Sequence, residues 1–71
     1  MSSAKEQIEK LKMDGISSIG AEKNISTINT LTVYAKDSKN EVIDAIMTIV
    51  DSSPRPEVTK AGHEAIQRVK G

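Results

Sequence analysis

Apolar residues recur along this chain at spacings of three and four, which predicts helices rather than strands. The first segment, Ala4 to Ile19, puts Ala4, Ile8, Leu11, Gly15, Ile16 and Ile19 on one face. Ser3 and Glu6 form an S-x-x-E capping pattern at its start. Gly15 costs about 1 kcal/mol against Ala inside a helix, so the segment either breaks there or uses the glycine to admit a close neighbour. Gly20 reads as a stop. The second segment runs from Glu22 or Ile25 to Lys36, with Ile25, Ile28, Leu31 and Ala35 on its face and Thr32 among them. Its β-branched content makes it a poor intrinsic helix former, so a short strand over Leu31 to Ala35 is the alternative. The spacing of three and four favours a helix.

The third segment, Lys39 to Asp51, repeats the capping pattern with Ser38 and Glu41. Val42, Ala45, Ile46, Ile49 and Val50 form its main face, and Ile43 and Met47 widen that face to about 200°. Asp44, Thr48 and Asp51 remain as the polar side, so this helix is expected to be the most buried. The fourth segment runs from Pro56 to Lys70; Pro54 and Pro56 suit a helix start and not its interior. Its face is narrower: Val58, Ala61, Gly62, Ala65, Ile66 and Val69, with small residues that permit close packing. Links at Gly20–Asn24, Asp37–Ser38 and Ser52–Arg55 are short, which implies antiparallel neighbours. The expected fold is all-α: one domain over residues 1–71, with four helices as two antiparallel hairpins or a small helical bundle.

Composition narrows the function classes. A chain of 71 residues buries only roughly 60% of its extended surface, and with no Cys it has neither disulfide nor thiol chemistry to help. Ten basic residues balance ten acidic ones, interspersed, without the basic stripe of an electrostatic nucleic-acid binder. No apolar run approaches the roughly 18 residues of a membrane span, and MSSAKEQIEK lacks the apolar core of a signal peptide. A cytoplasmic protein is expected, with no membrane contact. Tyr34 is the single aromatic residue, so the core must be aliphatic.

A small-Ile-x-x-Ile/Val pattern occurs three times, at Gly15–Ile19, Ala45–Ile49 and Ala65–Val69. So loose a pattern also arises in unrelated amphipathic helices. More informative is the order Ile19-Gly20, then Ile25, Ile28 and Leu31, then Asp37, then Glu41-Val42 and Ala45. This stretch resembles a HEAT-type repeat of the short bacterial and archaeal kind, of roughly 30 residues. There, an Ile-Gly ends one helix, spaced aliphatics make the next, and an Asp turn leads to a Val-x-x-Ala helix. The family usually places Arg after that Val; here Ile43 and Thr59 stand in those positions. Glu41 and Glu57 are too close for a second full unit, so Pro54–Val58 can instead open a single capping helix. The resemblance implies a stack of helical hairpins used as a binding surface, rarely as an active site.

Stacked hairpins need caps or a partner for an open end. Val33 and Tyr34 point away from the face set by Ile28 and Leu31, Ile43 and Met47 extend beyond the main stripe, and Met13 stands off the first face. Val33, Tyr34, Ile43 and Met47 are therefore the candidates for a protein partner or a homodimer; packing on a third helix is the other reading of Ile43 and Met47. For nucleic acid the candidates are Arg55, Lys60, Arg68 and Lys70, interrupted by Glu57 and Glu64 and without aromatic residues for stacking. His63, the lone histidine, reads as a surface residue beside Lys60 and Glu64. Asp44 and Asp51 read as a solvated face. The glycines build no phosphate-cradling loop. No catalytic residue, metal or cofactor is expected.

Overall fold

The structure is a computed structural model that describes residues 3–71. It is an all-helical bundle: α1 (Ala4–Ser17), α2 (Ala21–Leu31), a short 3-10 turn (Thr32–Tyr34), α3 (Ala35–Ser52) and α4 (Pro56–Lys70). No helix is long and apolar enough to cross a membrane.

The first helix begins as its sequence predicts. The Ser3 hydroxyl accepts from the Glu6 amide at 3.2 Å, and the Glu6 carboxylate accepts from the Ser3 amide at 3.4 Å. The helix ends at Ser17, two residues before the expected limit, so Ile19 leaves the apolar face and stands 88% exposed. Gly20 is not a stop. It is the N-cap of α2, in extended conformation at φ −110°. The helix passes through Gly15 without a break, and the glycine serves close approach. A Cβ there would lie 2.5 Å from Ile49 Cδ1 and 2.8 Å from Ile49 Cγ1.

Asn24, expected in a link, is buried in the first turns of α2. Its side-chain amide donates to the Gly15 carbonyl at 2.7 Å and to the Ser18 carbonyl at 3.4 Å. One side chain thus satisfies the end of α1, which leaves carbonyls without helical partners. The Asn24 Oδ1 atom has no partner, so part of that gain is offset by desolvation.

Leu31–Ala35 is neither strand nor continuous α-helix. The chain tightens into the 3-10 turn, which α3 follows without a gap. Inside α3, Ser38 departs from helical geometry at φ −139°, ψ 50°. The capping pair expected from Ser38 and Glu41 does not form: no hydrogen bond joins their side chains and backbones, and Ser38 acts as a kink. The regular part of α3 therefore starts near Lys39, as the sequence predicts. Pro56 occupies the first turn of α4, which runs to Lys70 as expected.

Ile28, Leu31, Val42, Ile46, Ile49 and Val58 are fully buried. They make one aliphatic core to which every helix contributes, with Ile8 supplied by α1. The helices are close because of their small residues. Gly62 of α4 leaves no room for a Cβ beside Val50 Cγ2, and Ile28 Cδ1 lies 3.8 Å from the same point.

The contacts also fix relative direction. Lys5, Ile8, Glu9 and Lys12 of α1 line one groove with Glu41, Asp44, Ala45 and Thr48 of α3, while Gly15 meets Ile49 further along. So α1 and α3 run in the same sense. Arg55 donates to the Ile19 carbonyl at 2.6 Å just before α2, Gly62 lies beside Ile28, and Arg68 donates to Asn29 Oδ1 at 3.3 Å. So α2 and α4 also run in the same sense.

Candidate interaction surface

Directions within α3 assign its faces. Glu41, Asp44, Ala45 and Thr48 border α1, and Ile46 and Val50 meet α4 at Gly62. At 100° per residue, the side turned away from α1 carries Lys39, Ile43 and Met47, with Lys39 and Ile43 close to the α4 side, whereas Asp51 falls about 20° from Asp44, on the α1 side. Ile43 is half-buried and packs on the core, so it partly follows the reading in which it packs against another helix. Met47 is 37% exposed. Lys39 and Asp51 are both exposed, on different sides of the helix. The single ion pair among the described residues is Lys12 with Glu9 at 2.6 Å.

The other partner candidates do not join this side of α3. Val33 is 74% exposed in the 3-10 turn. Tyr34 does not point away from the core; it is half-buried and packs against it. The turn geometry causes this, because a 3-10 step rotates each residue about 120° and not 100°. Met13, 56% exposed, projects from α1 separately.

The basic residues of α4 do not form one patch. Arg55 and Lys60 sit near its start and Arg68 and Lys70 at its end, about 20 Å from first to last. Arg55 is a strap across to Ile19. Arg68 instead joins Lys36 and Lys39, which the sequence reading did not include, around a groove of about 430 Å³ with Thr32, Ala35 and Val69. Lys36 and Lys39 were legible as charges, but only the antiparallel pairing of α3 with α4 brings them beside Arg68. His63 is exposed on α4, and Asp44 and Asp51 are exposed on α3. Among the described residues, no three His, Asp or Glu side chains gather as a metal-binding group.

Comparison with protein-family models, with curated proteins and with solved structures found no match.

Proposed function

We propose that this chain is a non-enzymatic protein-interaction module built as two tandem antiparallel hairpins of HEAT type, α1–α2 followed by α3–α4. The observation that carries the reading is direction. First helices run alike and second helices run alike, as in a stack where each hairpin repeats the last. The two ends of such a stack then differ in chemistry. On α1, the side away from α3 carries Gln7, Lys10 and Asp14, a polar end that suits a cap. On α3, the opposite end carries Ile43 and Met47, where a further helical layer would sit. An expected cytoplasmic location fits a partner of this kind.

A photo-reactive amino acid at position 47, compared with one at position 14, tests this in the intact cell. Protein adducts concentrated at position 47 support the module. Equal labelling at both positions, or none at 47, contradicts it.

A second reading is a nucleic-acid-associated protein. Arg55, Lys60, Arg68 and Lys70 motivated it, and the groove of Lys36, Lys39 and Arg68 favours it in a narrower form. Nuclease-sensitive adducts at a probe replacing Lys36 would select this reading over the first.

A further inference from the structure

Three cations border one groove. Lys36 and Lys39 come from the start of α3 and Arg68 from the end of α4, and they meet because these helices run antiparallel. The concavity measures about 430 Å³, within the range of about 300–1,000 Å³ usual for small-molecule sites. Its remaining wall is Thr32, Ala35 and Val69, so no carboxylate lines it. We propose that this groove binds a compact oligophosphate, an anion that concentrates its charge on adjacent phosphoryl groups. This inference goes beyond the interaction-module reading and does not depend on it.

Charges placed to serve the fold would sit differently. Arg68, in the last turn of α4, suits its helix dipole. Lys36 lies in the first turn of α3 and Lys39 directly after the kink at Ser38, toward the end where the dipole disfavours cations. Carboxylates do not neutralise the three. Asp37 stands between the lysines in sequence and Glu64 one turn before Arg68, yet the single ion pair among the described residues is Lys12 with Glu9. Arg68 reaches to α2 instead, where a neutral acceptor, Asn29 Oδ1, takes one N–H group at 3.3 Å. The guanidinium is thus held in place without losing its charge, and its other N–H groups can meet the paired oxygens of a phosphoryl group. The Thr32 hydroxyl donates to the Asn29 carbonyl at 2.6 Å, so its proton is engaged and the cations carry the recognition.

A nucleic-acid strand has the opposite charge distribution. It spreads one charge per phosphate and gains affinity by adding contacts along its length. Here the three cations share one concavity, while Arg55 and Lys60 lie near the other end of α4. The net charge of zero supplies no field to draw in a long polyanion. Ala35 and Val69 offer an apolar strip beside the cations, but no aromatic ring for a base, since Tyr34 packs against the core.

Titration with inorganic triphosphate at low salt, read by nitrogen–proton correlation spectra, tests the site. Saturable shifts below about 1 mM are expected at Lys36, Lys39, Arg68 and Val69. Arg68→Gln, and separately Lys36→Gln with Lys39→Gln, should each weaken binding at least about tenfold. Lys60→Gln removes one charge elsewhere on α4 and should change it less than about twofold. These four side chains are exposed, so the variants are expected to fold, which circular dichroism checks. Adenosine triphosphate bound more tightly than triphosphate would seat the organic body on the apolar strip. Equal affinity would confine recognition to the phosphate chain, and both results support the site. The site is overturned by no saturable shift below about 1 mM or by equal weakening in all three variants. Citrate, or a short single-stranded oligonucleotide, bound more tightly than triphosphate would also overturn it.

Discussion

Replacing Ile28 with Ala is expected to remove most of the stability of this protein. Ile28 is fully buried and reaches the point where α4 comes closest, with its Cδ1 atom 3.8 Å from the position of a Cβ on Gly62. Truncating such a residue costs about 2–5 kcal/mol, the lost transfer energy plus the cavity left behind. A core this small supplies only about 3–5 kcal/mol in total, so no reserve absorbs the change. Since about 1 kcal/mol moves the midpoint of a domain this size by about 4–8 °C, a loss of 10 °C or more, or no cooperative transition at all, is expected. Thermal melting followed by far-ultraviolet circular dichroism reads this directly. A midpoint within about 3 °C of the parent would show that Ile28 is not central to the core. The site offers little chance of collapse, because helices already touch there through glycine.

The second large effect is at that glycine. Gly62→Leu should separate α4 from α3. A Cβ at Gly62 already occupies the space of Val50 Cγ2, and Val50 is β-branched and stiff, with no flexible end to move aside. The full leucine side chain would need the helices to part, and overpacking of this kind costs about 1–3 kcal/mol or more. A helix-propensity argument predicts the opposite sign, because Leu outranks Gly by almost 1 kcal/mol in a helix interior. The steric term wins, because the clash is with the stiff Val50 side chain. Gly20→Ala provides the contrast: nothing lies within 4 Å of a Cβ there, and its backbone is extended. That variant should stay within about 0.5 kcal/mol of the parent. Urea midpoints of both variants separate the two terms. A Gly62→Leu protein as stable as the parent would contradict the close packing of α3 and α4.

Much of this architecture was legible in the sequence, and the misses have physical causes. The apolar spacing located each helical segment, and the small residues Gly15 and Gly62 marked close approach, because a missing Cβ is visible in the sequence. Ile19 was misplaced because periodicity continues past the point where a helix stops; Ser18 turns extended and carries the chain away. Asn24 was missed because a polar residue near a glycine reads as a link, and its value lies in carbonyls of another helix. The Ser38–Glu41 capping pattern is identical to the one that works at Ser3–Glu6, yet it fails because Ser38 sits at φ −139°, ψ 50°, after residues already helical, and not in the extended conformation that Ser3 has at φ −74°, ψ 164°. Tyr34 followed from the 3-10 turn. Of the candidate site, the sequence held Ile43 and Met47 but not which side of α3 is covered by α1, which is what leaves these two on the opposite side.

The direct test of the central claim, that α3 keeps an outward apolar face for a partner, is a nitrogen–proton correlation spectrum recorded in the intact cell and in buffer. The account predicts amide signals shifted or broadened in the cell at Ile43 and Met47, while Gln7, Lys10 and Asp14 on α1 stay as in buffer. Changes confined to α1, spread evenly over the bundle, or absent at Ile43 and Met47 would contradict it.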